Sequence, residues 1–394
     1  MEIDAEELAE LYTALDDVDD PYPMWAEGRR TQPVQHTTGA ARDDMYVIHC
    51  RDAVQAVLRD GEVFSSRIND DTMGPYMGKT ILAMDGDEHR AYRSLVASAF
   101  RASSLERWGD EVITPSVNSL LDAIAPEGKA DLVHDLTARF PVQVIAAIIG
   151  VPLEDHDQFQ VWADEINFGP RDPKRSKAAS QAMTAYLEPI VAERRQHPTG
   201  DLLSELVTAE VDGHTLDDDH LYGFLRLLIP AGAETTFRML GNSLVALLTH
   251  PDVLAEVTAD RSLLPAVIEE TLRWETSVTM VNREATKDVD VDGCPIPKGA
   301  GILALVGSAN RDEAHYERPD EWDPHRDPKP HMAFGTGIHQ CLGMHLARLE
   351  LRIGLDAVLT RLPNLRADPA FAVPDIRGLP FRSPPALHVL FDAT

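Results

Sequence analysis

The sequence predicts a mainly α protein with small β-sheets, and three observations lead there. From about residue 87 to residue 209, apolar residues recur at helical spacing in one run after another. From Leu216 to Leu248 a long stretch is apolar on nearly every face, the pattern of a helix buried in the middle of a protein. Near Val289 the period shortens toward alternation between turn residues, which is the pattern of short strands. With 394 residues, 44% of them apolar, the chain can bury a large core, and no linker divides it, so one unit over 1–394 is expected.

Taken in order, residues 4–17 form a short amphipathic pattern closed by the turn Asp19-Asp20-Pro21-Tyr22-Pro23. A strand over 45–49 and a helix over 52–59 follow. Phe64 to Met84 carries Gly74, Pro75 and Gly78 among scattered methionines and reads as a long irregular loop able to line a pocket. Helices are expected at about 87–100, 109–124, 135–149, 155–165, 176–196 and 201–209, with Pro170 and Pro173 marking a break where a mobile lid could sit. The buried helix of 216–249 and another near 265–275 come next. Val289–Val291, Gly301–Val306 and Ala386–Phe391 read as strands.

Composition narrows the function. Lys and Arg total 36 against 65 Asp and Glu, a formal charge of -29, which argues against a general nucleic-acid binder or a binder of anionic membranes. Cys50, Cys294 and Cys341 are too few and too far apart for a disulfide framework or a Cys-rich zinc site. The acidic start (Met1 to Asp20) and the lack of an 18-residue apolar run point to a soluble, cytoplasmic protein with no membrane anchor.

Cys341 lies in Phe334-Gly335-Thr336-Gly337-Ile338-His339-Gln340-Cys341-Leu342-Gly343, between a glycine-punctuated loop and a helical run beginning at Leu342. That helix-end position favours a thiolate, and with it an anionic ligand or nucleophile. The long helix holds Pro230-Ala231-Gly232-Ala233-Glu234-Thr235-Thr236. Glu234 could simply pair with Arg238 four residues on. Glycine, hydroxyls and a proline at that point also weaken a helix where a small molecule could approach its backbone. Glu270 and Arg273, like His89 and Arg93, sit one turn apart, the spacing of ordinary surface pairs. His315, His325, His331, His339 and His345 cluster around the cysteine, but their spacing matches no usual zinc pattern.

Together these pieces resemble cytochrome P450, the haem-thiolate monooxygenases, of the soluble bacterial kind. Phe334-x-x-Gly337-x-x-x-Cys341-x-Gly343 is similar to the haem-binding signature of that family, and at this composition it is expected by chance in roughly 3 of ten thousand such chains. Ala231-Gly232-x-Glu234-Thr235-Thr236 matches the oxygen-binding groove, and Glu270-x-x-Arg273 the Glu-x-x-Arg helix, with Arg326 as third member of its ion-pair network. His89, Arg93, Arg283 and His339 resemble the ligands of the haem propionates. Three positions depart from the family pattern: Pro230, Ala233, and the absence of prolines before His89.

The resemblance implies the triangular P450 fold as one catalytic domain, with haem b (iron protoporphyrin IX) ligated by Cys341 and framed by Phe334, Gly335 and Gly343. It gives Thr235 and Glu234 roles in dioxygen binding and proton delivery. Electrons would come from a ferredoxin-type donor drawn to Arg90, Arg101, Arg348 and Arg352. Candidate contacts for an apolar, moderate-sized organic substrate are Met73, Tyr76, Met77, Ile81, Leu82, Phe168, Leu227, Leu228, Val278, Thr279, Met280, Val281 and Phe381. Alternatives are a haem-thiolate peroxygenase or isomerase and, more remotely, a non-haem binding or structural protein.

Overall fold

A computed structural model describes residues 14–38, 44–167, 169, 171–211 and 213–394. Most of the helix expected at 4–17, together with Phe168 and Pro170, lies outside these residues. The central helix Asp218–Thr249 is 32 residues long and runs unbroken through Pro230. Asp217 caps it by accepting from the His220 N–H at 2.9 Å. Every residue from Met239 to Leu247 is buried, as the apolar sequence there requires. Against it pack Phe140–Ile149, Leu264–Trp274 and Met344–Arg361, which share one large helical core.

The β structure is peripheral. A five-stranded sheet runs in the order Val34–Thr37, Met45–Ile48, Gly301–Ala304, Val281–Ala285, Phe64–Ser65, with Gly301–Ala304 parallel to Met45–Ile48 and the other neighbours antiparallel. Its register sets Arg283 opposite Ile302, with the arginine buried rather than on the wet face. A second sheet orders Arg366–Ala367, His388–Leu390 and Lys129–Asp131.

The segment 64–84 departs from expectation. It is not an irregular loop: Ile68–Met77 is a helix that contains Gly74 and Pro75, followed by a 3₁₀ turn at Ile81–Ala83. Ile68, Asn69, Tyr76 and Met77 are buried, so tertiary packing overrides the helix-breaking residues, and Gly78 ends the helix at φ 75°. Near Cys341, too, the helix begins later than expected. It starts at Met344, and Cys341 ends the loop before it.

One buried ion network orders the long stretch between the last strand of the main sheet and Met344. Glu270 and Arg273 meet in a two-pronged pair, both bonds at 2.8 Å, with side chains 4% and 2% exposed. Arg326 adds a bond of 2.9 Å to the same carboxylate. The remaining guanidinium donors of both arginines go to backbone oxygens: Asn310, Pro319 and Glu321 for Arg273, and Glu317, Arg318 and Glu321 for Arg326. A helix is thereby tied to a segment with almost no regular structure of its own. Arg273→Ala should cost about 3 kcal/mol in denaturant unfolding, the low end for a broken buried pair because Arg326 remains, and Arg273→Lys should recover only part of the loss.

Candidate active site

The anchored segment delivers the cysteine loop. Asn310 accepts from the Met332 N–H at 2.7 Å, Gly335 N–H bonds Met332 O at 2.8 Å, and Cys341 N–H bonds Phe334 O at 2.8 Å, so the loop closes on itself. Gly335 and Gly337 take φ of 66° and 79°, where a side chain is strained. A Cβ on Gly337 would also stand 2.4 Å from Leu58 O, so the loop lies hard against helix Arg51–Arg59.

Cys341 opens into an interior cavity between the central helix and the start of Met344–Arg361. Its surroundings correct the expectation that the helix end alone yields a thiolate. Burial pushes the thiol pKa up, and the Gly343 N–H, Arg93 and Arg348 only partly oppose this. Metal ligation would complete the deprotonation, since a coordinating thiol gives up its proton.

At one rim of the cavity stand four donors. His89 and His339 lie with ring centroids 4.1 Å apart, and the Nε2 of each is buried without a hydrogen-bond partner. The Asp85 carboxylate is 3.9 Å from His339 Nε2, too long for a hydrogen bond. Burial, then His339 and Arg93, lower the His89 pKa to about 4, so this ring is neutral at pH 7. Arg283 is 2% exposed, bonds only the Asn282 carbonyl at 2.7 Å and makes no ion pair among the described residues; burial lowers its pKa to about 10. Arg93 donates to Gln340 O and likewise has no carboxylate partner. An unpaired buried cation such as Arg283 and orphaned ring nitrogens are costly in a finished core, so this set, with half-buried Arg93 beside it, fits a ligand that brings anionic groups.

The opposite wall is the central helix. Ala231, Gly232, Thr235 and Thr236 line the cavity, and the Thr235 hydroxyl donates to Ala231 O at 2.7 Å. A Cβ on Gly232 would come within 2.8 Å of the Ile145 side chain, so the glycine permits close approach of helix Phe140–Ile149. Glu234 is not part of the wall; it pairs with Arg238, as its spacing allowed.

A profile of the cytochrome P450 family matches residues 37–365. The chain belongs to the cytochrome P450 family. It is 35% identical over 378 residues to the cytochrome P450 monooxygenase PikC of Streptomyces venezuelae, covering 91% of this chain and 89% of that protein. Its fold superimposes on cytochrome P450 CYP109Q5 from Chondromyces apiculatus with a TM-score of 0.88 at 32% identity, covering 95% and 96% of the two chains. For CYP109E1 from Bacillus megaterium in complex with testosterone the values are 0.87, 31%, 95% and 99%. This P450 is therefore an oxidoreductase of the monooxygenase type, and its cofactor is haem b. No helix among the described residues is long and apolar enough to cross a membrane.

Of the P450's expected substrate contacts, Ile81, Leu82, Leu227, Leu228, Val278 and Val281 line the cavity. Met73, Tyr76, Met77, Thr279, Met280 and Phe381 do not. Met77 is core, Thr279 donates its hydroxyl to Leu379 O, and Phe381 lies under Arg238 at 5.5 Å. Phe224, Ile145 and Ser277 do line it; the first two are unexceptional residues in apolar runs and the third an ordinary serine, and none gave a sequence signal. The histidines that cluster around the cysteine in sequence disperse in the fold: His315 takes Asp52, His325 takes Glu256 and His331 takes Glu269. Among the described residues no group of three His, Cys, Asp or Glu could hold a metal.

Arg348, expected to face an electron donor, is instead part of the loop's frame. It forks onto Glu269 at 2.6 and 2.9 Å and lies 4.5 Å over the Phe334 ring. Burial works against Glu269, yet Arg348 and His331 hold its pKa down to about 2. A pKa depressed in the fold favours folding above the unfolded carboxyl value and loses that contribution as pH falls through the folded one. Compared by melting temperature from pH 6 to 2, the wild type should exceed Glu269→Gln most at the upper end, with the gap closing below about pH 4, near the unfolded carboxyl value.

Proposed function

We propose that this P450 works as one catalytic unit that oxygenates an apolar, moderate-sized organic substrate with electrons from a separate ferredoxin. Cys341 would be the axial ligand of the haem, and His89, Arg93, Arg283 and His339 would take its propionates. The observation that carries this reading is the pairing of one cysteine open to the cavity with four donors at its rim, of which Arg93 and Arg283 make no ion pair among the described residues and the two histidines leave Nε2 without a hydrogen bond. Charge-assisted bonds to two carboxylates would satisfy all four. Phe334 packs beside the loop, Gly335 and Gly337 let it turn, and Gly343 N–H reaches the sulfur.

When bound, the haem supplies activation of dioxygen, and a thiolate ligand favours cleavage of its O–O bond. The chain's own part is positional. The Thr235 hydroxyl, held on Ala231 O in a cavity wall, can turn to donate into the cavity, and Glu234 beside it can carry the proton that Thr235 passes on. The wall of Ile81, Leu82, Phe224, Leu227, Leu228, Val278 and Val281 excludes water and selects for apolar bulk. A neighbour in fold binds testosterone, which supports a molecule of that size.

Arg352 is exposed and has no carboxylate partner among the described residues, whereas Arg90 pairs with Asp87 and Arg101 reaches Glu205 at 3.6 Å. The cationic surface offered to an acidic ferredoxin thus centres on Arg352 rather than on all four arginines.

The purified protein, reduced and treated with carbon monoxide, should show the strongly red-shifted Soret band of thiolate-ligated haem, and Cys341→Ser should lose it; a band unchanged by the substitution would remove Cys341 as ligand. Titration with testosterone should move the iron from low to high spin, and a ferredoxin should then reduce the protein at a rate that falls as salt rises. A spectrum unmoved up to the solubility limit, or reduction indifferent to salt, would overturn the substrate or the partner reading respectively.

A further inference from the structure

A second cavity, of about 390 Å³, lies apart from the one that Cys341 faces. It runs between the end of helix Ile68–Met77 and helix Pro173–Gln196, with Arg226 of the central helix as a third wall, and the two cavities share no wall residue. A space of that size holds a small organic molecule. Gly78 keeps it open beside Arg226: its φ of 75° suits glycine, and a Cβ there would stand 3.0 Å from Arg226 Nη1.

The Arg226 guanidinium is only partly used. Nη1 donates to Met77 O at 2.9 Å, while Nε is buried with no hydrogen-bond partner and nothing among the described residues accepts from Nη2. No carboxylate pairs with it among those residues either, since Asp219, whose charge favours the guanidinium form, reaches Lys79 at 3.6 Å instead. Burial lowers the Arg226 pKa, the mark of a cation that has given up water for little in return. Ser180 repeats the pattern from helix Pro173–Gln196. It is 2% exposed, and its hydroxyl has no partner. A helical hydroxyl commonly bonds back to the carbonyl four residues before it, as Thr184 does to Ser180 O at 2.8 Å, but Ser180 does not. Lys177, one turn before Ser180, is an exposed wall residue with no ion pair among the described residues. Glu188, just over two turns beyond Ser180, is exposed on the same wall and pairs with neither cation.

The geometry points to a second binding site here, for a small organic carboxylate: the Nε–Nη2 edge of Arg226 takes its two oxygens, the Ser180 hydroxyl donates to one of them, and Lys177 stands at the mouth. That edge is a parallel pair of donors with the spacing of a carboxylate. Met77 O stays bonded to Nη1 while the edge is filled, so the end of helix Ile68–Met77 need not move. The rest of the molecule lies against Pro75 and Tyr76. A phosphate would bring close to two negative charges to one sheltered cation, with Glu188 on the same wall, and the single charge of a carboxylate is the better match.

Calorimetry on the holoenzyme, with 4-phenylimidazole on the haem iron to fill the other cavity, tests the site with benzoate as the probe. Benzoate should bind once per chain, and about tenfold or more tighter than either benzamide, its neutral isostere, or inorganic phosphate. Arg226→Lys keeps a charge without the fork and should weaken benzoate by about tenfold or more. Ser180→Ala leaves Arg226 and Met77 untouched and should weaken it by about threefold. Lys177→Gln should keep most of the affinity and flatten its dependence on salt. Should Arg226→Lys lower the melting temperature and so loosen the fold, Ser180→Ala and the ratio of benzoate to benzamide affinity decide the matter. Benzoate and benzamide bound alike, phosphate bound as tightly as benzoate, or benzoate affinity unchanged in both Arg226→Lys and Ser180→Ala would overturn the site. So would benzoate binding that vanishes once 4-phenylimidazole is present, because the carboxylate would then belong to the haem cavity.

Discussion

The architecture around the cavity depends on a carboxylate that is almost wholly removed from water. Glu270 is compensated by two guanidinium groups, which in turn hold five backbone carbonyls spread over residues 310–321. Such a network adds little stability over a well-packed apolar equivalent. What it supplies is a fixed path for coil. The stretch after Ala309 has too few apolar residues and too many prolines to position itself, and the ion network gives it a defined course from Asn310 to Met332 and so to the cysteine loop.

This arrangement explains what sequence could and could not convey. The central helix was legible because its apolar character is continuous, and the cysteine loop because its glycines and cysteine keep a fixed spacing. Both are local signals. The helix at Ile68–Met77 was hidden because Gly74 and Pro75 speak against it locally, while Tyr76 and Met77 are drawn into a core whose other side comes from distant parts of the chain. The identity of the cavity wall was legible only in part for the same reason. Ile145 and Phe224 enter it from runs in which apolar residues fall on nearly every face, where nothing marks the one face that looks inward.

Charges were the hardest to place. Arg348 reads from the sequence as a surface cation, and only the approach of Glu269 and the Phe334 ring makes it part of the frame. Glu234 and Arg238 were visible as a possible pair from spacing alone, but Ser383, whose hydroxyl accepts from Arg238, lies 145 residues away, and no local pattern links it to them. Long-range polar contacts leave no periodicity behind.

The approach of Gly337 to Leu58 O bears on how this chain can change. At Gly337 the restriction on the cysteine loop comes not from the chemistry of Cys341 but from the backbone of helix Arg51–Arg59, whose side-chain chemistry is immaterial. Variation in helix Arg51–Arg59 that shifts its axis by even an ångström would alter what the loop can tolerate, and the reverse also holds. In a library built to retune this enzyme, the two segments form one unit of inheritance, to be exchanged together or left alone.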